Sequence, residues 1–142
     1  MNAFSLLTAA ALLLPGLTAQ QCTTTHAGAG CGPLLVVTFS PHGASGGHFL
    51  ELEVSGLTPR ALGIMVWGTQ NFDVPIPGGC PLHTEFLWGH FFQTDATGYY
   101  KWQRAWPRDV LGGYFMQMGD VVEDAMGGLI FHTSNCEFAA CN

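Results

Sequence analysis

Apolar side chains in this chain come in short alternating runs, and nowhere do they keep the 3.6-residue period of a helix for three turns. The clearest run is His48-Phe49-Leu50-Glu51-Leu52-Glu53-Val54. Successive side chains of a strand point to opposite faces, so Leu50, Leu52 and Val54 share a dry face while Glu51 and Glu53 share a wet one. The same pattern marks strands at Leu34 to Phe39, His48 to Val54, Leu62 to Trp67, Leu82 to Trp88, Tyr99 to Arg104, Tyr114 to Met118, Leu129 to His132 and Glu137 to Ala140. Turn formers lie between them: the Ser40 to Gly47 stretch, Asp95-Ala96-Thr97-Gly98 with an Asp able to cap its own turn and a Gly free to take positive φ, and Thr133-Ser134-Asn135. Trp106 to Gly112 leaves room for one short helical turn at most. About eight short strands, each with a wet and a dry face, predict an all-β fold, a two-layer antiparallel β-sandwich.

Length and charge narrow the function. At 142 residues the chain is one domain. Charged residues make up 10% of it, against about 25% in an average soluble domain, and 19 Gly with 8 Pro make it rich in turns. The formal net charge of -6 repels a phosphate backbone and anionic lipid, so nucleic acid is excluded as a partner.

Residues 1 to 21 carry no charged side chain, and Ala3 to Leu14 is almost wholly apolar before Pro15-Gly16. That is the length of a signal-peptide core and too short to span a bilayer as a helix. We expect residues 1–19 to be a signal peptide cleaved after Ala19, and residues 22–142 to form the single sandwich domain. No later apolar run is long enough to cross a membrane, so no membrane span is expected in the mature chain and its place is secreted, extracellular or in the cell envelope. All five cysteines, Cys22, Cys31, Cys80, Cys136 and Cys141, lie beyond the cleavage point. In an oxidising compartment they read as a disulfide framework with one thiol left over for a partner chain. Cys136 and Cys141 fall in one extended segment, where they stand too far apart to pair with each other. Cys22 is therefore expected to pair with one of them, Cys141 being slightly preferred.

With these landmarks placed, the chain resembles a family of exported bacterial β-sandwich domains of uncharacterised function, found in environmental bacteria and often the last module of larger secreted proteins. The resemblance covers residues 26 to 142 and rests on Gly28-Ala29-Gly30-Cys31-Gly32, Ala61-Leu62-Gly63, Pro77-Gly78-Gly79-Cys80-Pro81-Leu82, Thr94-Asp95-Ala96-Thr97-Gly98, Trp106-Pro107-Arg108-Asp109-Val110-Leu111-Gly112, Phe115-Met116-Gln117 and Ser134-Asn135. It implies a β-sandwich with a bridge between Cys31 and Cys80, and it implies no catalytic residue. Cys22, Cys136, Cys141 and the abundance of His and aromatic residues depart from the family pattern.

Several constellations could carry chemistry. Gly43-Ala44-Ser45-Gly46-Gly47 matches the nucleophile-elbow pattern, but a strand pattern follows it where the elbow needs a helix. His83 and Glu85 share a strand face with His90 just beyond, a set of donors that could hold zinc or copper. Asp120, Glu123 and Asp124 read as an exposed acidic loop whose oxygens could hold calcium, although it lacks the Asp/Asn-rich alternation of a known calcium site. No cofactor fingerprint is present, and none is expected. Trp67, Trp88, Trp102 and Trp106 with Tyr99 and Tyr100 form a large aromatic load, and flat aromatics stack on sugar rings. Tyr100 and Trp102 are expected to pack in the core, leaving Tyr99, Lys101 and Gln103 as the exposed face for a glycan or cell-surface polymer. Taken together, these features point to a noncatalytic exported module acting in adhesion, envelope structure or glycan contact. The alternatives are a small secreted hydrolase or a metal-binding protein using the His-rich faces.

Overall fold

A computed structural model describes residues 20–43, 47–76, 79–106 and 112–142. The expected signal peptide, Ser45 and most of the Trp106 to Gly112 turn lie outside these residues. Eleven strands are present among those described: β1 (Cys22–Gly28), β2 (Leu34–His42), β3 (Gly47–Ser55), β4 (Leu62–Gly68), β5 (Asn71–Val74), β6 (Leu82–Thr84), β7 (Trp88–Gln93), β8 (Tyr100–Trp106), β9 (Gly112–Glu123), β10 (Leu129–Thr133) and β11 (Cys136–Cys141). The larger sheet runs β1-β11-β9-β4-β7, with β10 also paired to β9, and the smaller runs β2-β3-β8; every pairing is antiparallel. The single strand expected over Leu82 to Trp88 is in fact two, because Glu85, Phe86 and Leu87 leave the ladder between β6 and β7.

The two sheets pack through the dry faces that the alternation marks. Leu35 and Val37 of β2 and Leu50, Leu52 and Val54 of β3 meet Met65 and Trp67 of β4, Phe92 of β7, and Met116 and Met118 of β9. Burying one such side chain stabilises the fold by roughly 1.5–3 kcal/mol, so this layer is the main source of stability. Tyr100 and Trp102 lie half-buried against the same cluster. Glu51 and Glu53 point outward, as the period of two requires.

One end of the sandwich is laced shut by polar groups. The Asn135 side chain accepts from Leu35 N at 2.7 Å and donates to Leu35 O at 2.9 Å, tying β2 to the β10–β11 joint. Thr94 Oγ1 accepts from Ala61 N and donates to Thr58 O, and Asp120 Oδ2 accepts from Thr58 N at 2.6 Å. The Asp95 turn forms as expected: Asp95 Oδ1 accepts from Thr97 N and Tyr99 N, and Gly98 sits at φ 76°. A Cβ there would also lie 1.9 Å from Leu57 O, so only glycine fits.

β10 and β11 form one long run against β9, offset by one residue at the joint. Thr133 pairs with Gly119 while Glu137 pairs with Met116. The extra residue is absorbed at Ser134 and Asn135, whose backbone and side chains meet the fully buried Gln117 and the Met118 amide. Gln117 also takes the His83 amide and reaches Pro81 O, holding the β5–β6 ribbon against the outer face of the larger sheet. The ribbon is thus a small third layer on the expected two.

Both expected bridges form. Cys22 and Cys141 are register partners on the adjacent strands β1 and β11, with Cα atoms 4.1 Å apart. Cys31–Cys80, at 5.8 Å, pins the segment entering β6 to the loop before β2. Cys136 is the free cysteine, and none of its surface is exposed. Burial, and then the neighbouring Glu137 carboxylate, push its thiol up to about 12. The thiol expected to serve a partner chain is therefore out of reach in the folded domain, because Cys136 and Cys141 lie at opposite-facing positions of β11 and Cys141 takes the bridge.

Candidate aromatic cleft

At the end opposite the polar lacing, the two sheets do not close. A cleft of about 460 Å³ opens there, within the usual range of small-molecule sites. All four tryptophans of the chain line it, from three strands: Trp67 on β4, Trp88 on β7, and Trp102 and Trp106 on β8. Tyr114 of β9 and Leu50 of β3 complete the deeper wall, and Leu87 stands at the rim. Residues 100, 102, 104 and 106 of β8 share one face, so Arg104 lines the cleft on the same side as the two indoles while remaining exposed.

The rings meet mostly edge to face. Trp67 stands 5.6 Å from Trp88, 5.5 Å from Trp102 and 6.1 Å from Tyr114, with interplanar angles of 67°, 69° and 73°. Tyr114 then meets Trp106, which meets Phe39. Edge-to-face is a favoured arrangement of aromatic rings, worth about 0.5–1.5 kcal/mol per pair beyond burial, so the wall holds its shape. Trp88 is 45% exposed, whereas Trp67 is only 8% exposed. Among the described residues the buried Trp67 indole Nε1 has no hydrogen-bond partner, Arg104 forms no ion pair, and no acidic side chain lines the cleft.

The residues expected to contact a glycan are elsewhere. Lys101 and Gln103 do face outward on β8, and partly exposed Tyr99 lies just before it, but the Lys101 ammonium lies 2.9 Å from Glu51 and 2.8 Å from Glu53. Its hydrogen bonds to these two carboxylates raise its pKa above the ordinary lysine value and hold Glu53 below the usual carboxylate range. Its charge is satisfied within the sheet. Burial, then the Glu53 charge, raises the Tyr99 phenol.

The expected metal donors are not brought together. His83 is held with Nδ1 at 2.5 Å from Asp73 and Nε2 at 2.6 Å from Ala29 O, so both ring nitrogens are occupied. Glu85 accepts from the Thr69 hydroxyl and amide, which hold its carboxyl below its ordinary value. His90 stacks beside Trp88, with ring centroids 6.4 Å apart. Asp120 is no part of an acidic loop: it lies on β9, fully buried, with Oδ1 lacking a hydrogen bond and 3.6 Å from His132 Nδ1. Asp124 instead caps its own turn through Met126 N and Gly128 N. Among the described residues, no three His, Cys, Asp or Glu converge as a metal site would require.

The cleft is weakly marked in sequence because Trp67 and Trp88 meet only when β4 pairs with β7, and both reach the β8 indoles only when the two sheets pack. One signal was present nonetheless. Trp102-x-Arg104-x-Trp106 places a cation on a face otherwise filled by large apolar rings, a pattern a plain core strand does not show. No protein-family model, curated protein or solved structure matches the chain.

Proposed function

We propose that this chain is a noncatalytic exported module that binds a glycan of the cell surface or its surroundings, and that the aromatic cleft is the binding site. The observation that carries the reading is the gathering of all four tryptophans at one open end of the sandwich. A sugar ring presents an apolar C–H face and a polar rim, which suits flat indole walls with a few polar groups between them. The cleft is a better site than the outer face of β8, because Lys101 there is already paired with two carboxylates. Export is supported by the two disulfides, which persist in oxidising compartments, and by the apolar N-terminal segment. No helix among the described residues is long and apolar enough to cross a membrane.

Tryptophan emission reports directly on such a site. Titration of the purified domain with a panel of soluble oligosaccharides should change its fluorescence saturably. Trp88→Ala should remove the response while shifting stability by about 1 kcal/mol or less, because this indole is 45% exposed and little core is lost. A panel without any saturable change, or a W88A variant that binds as well as the parent, would remove the cleft from consideration.

A further inference from the structure

We propose that the cleft selects acidic sugars, with Arg104 binding the carboxylate of a uronic acid whose ring lies against the indoles; this rests on the glycan reading above. Arg104 is one of only four Lys and Arg in the chain, set against ten Asp and Glu. Lys101 is held by Glu51 and Glu53, but Arg104 forms no ion pair among the described residues. Among the described residues it is also the one charged group lining a cleft walled by Trp67, Trp88, Trp102, Trp106 and Tyr114. On a molecule of net charge -6, an anion gains most attraction where a cation is not paired with a carboxylate, and among the described residues Arg104 is such a cation.

Geometry adds to the charge. Arg104 lies two residues from both Trp102 and Trp106 on the same strand face, so the guanidinium emerges between two indoles. Its planar fork matches a carboxylate through two parallel N–H donors, a fit that lysine lacks. A uronic acid carries its carboxylate at the ring edge, so a ring laid on an indole can present that group to the fork. The Trp67 indole belongs to the same wall, and its Nε1–H is buried and lacks an acceptor among the described residues. A neutral lipid chain would leave the guanidinium without a counter-ion.

The test uses the intact domain with trigalacturonate, trimannuronate and the methyl ester of each, which keeps the ring and removes the charge. Binding of at least one acid about tenfold tighter than its ester, lost in Arg104→Gln and partly kept in Arg104→Lys, is the expected result. Added salt should shrink the preference, since it rests on charge. Equal binding of acid and ester would overturn the carboxylate assignment while leaving the glycan reading intact. An R104Q variant that keeps the preference would likewise overturn the role of Arg104. Failure of acids, esters and neutral oligosaccharides alike would overturn both proposals. Arg104 is exposed, and a circular dichroism spectrum and unfolding midpoint matching the parent's confirm that each variant is folded.

Discussion

The two ends of this sandwich are held by different physics. At the Asn135 end, buried side chains of Asn135, Thr94 and Asp120 bond to backbone groups of the segments that cross from sheet to sheet. Every such bond is directional, so the end is closed in one geometry. At the Trp106 end, edge-to-face rings line the opening, and the nearest covalent tie is Cys22–Cys141, whose Cys141 pairs in register with Gly112 at the start of β9. Hydrogen bonds fix one end, whereas ring contacts shape the other. The binding role proposed above would use both: a rigid end that fixes the strands and an open end whose walls stay in place.

The largest test removes the covalent tie at the open end. Cys22 and Cys141 are 119 residues apart, and the chain-entropy model assigns such a bridge about 5 kcal/mol. Replacing both with serine should therefore lower the guanidinium midpoint more than any single change at the closed end. The next test breaks the lacing: Asn135→Ala leaves the backbone N–H and C=O of buried Leu35 without partners, at roughly 2–4 kcal/mol. If N135A proves nearly neutral in denaturant unfolding, the closed end is held by packing and the contrast between ends fails.

Two smaller changes probe the turns at the closed end. The Thr97 hydroxyl, then the Tyr99 and Thr97 amides, hold the Asp95 carboxyl below its ordinary value. A carboxyl depressed in the folded state contributes stability that is present above its unfolded pKa and is lost as pH falls through the folded one. Thermal unfolding followed from pH 6 to pH 2 should show Asp95→Asn losing part of the acid sensitivity of the parent. The smallest expected effect concerns Arg60, which holds a positive φ of 57° beside Asp95. Arg60→Gly relieves that backbone and should stabilise by about 0.5–1 kcal/mol in the same unfolding assay.

Strands with one wet and one dry face were legible because burial on one side writes the alternation directly into the residues. β3 and β8 are examples, down to the outward Lys101 and Gln103. β1 was not legible: Thr23, Thr24, Thr25 and His26 are all exposed at a sheet edge, so no dry face is recorded. β7 was masked in another way, since Phe91 is 68% exposed beside buried Phe92, and two adjacent phenylalanines erase a period of two. Geometry along one strand excluded a Cys136–Cys141 bridge and assigned Cys22 to one of the two, with Cys141 slightly preferred; the strand neighbours that decide for Cys141 were not legible. Nor was the cleft, because Trp67, Trp88 and Trp102 are brought together by tertiary packing alone. Asp120 shows the same limit, since a carboxylate amid Val121, Glu123 and Asp124 reads as surface until β9 is seen to carry it inward.

The Cys22–Cys141 bridge also decides how the domain would carry mechanical load. It joins the first and last strands of the chain, β1 and β11, in register, and Gln21 and Asn142 exchange backbone hydrogen bonds just outside it. A pull applied to the segments flanking the bridge runs from Cys22 through the S–S bond to Cys141 and bypasses the strands between. Those strands, and the indoles they carry, feel tension only if the sulfur–sulfur bond is cut. A module gripping a polymer while tethered from both sides would keep its grip under strain, with reduction rather than force as the event that lets it stretch.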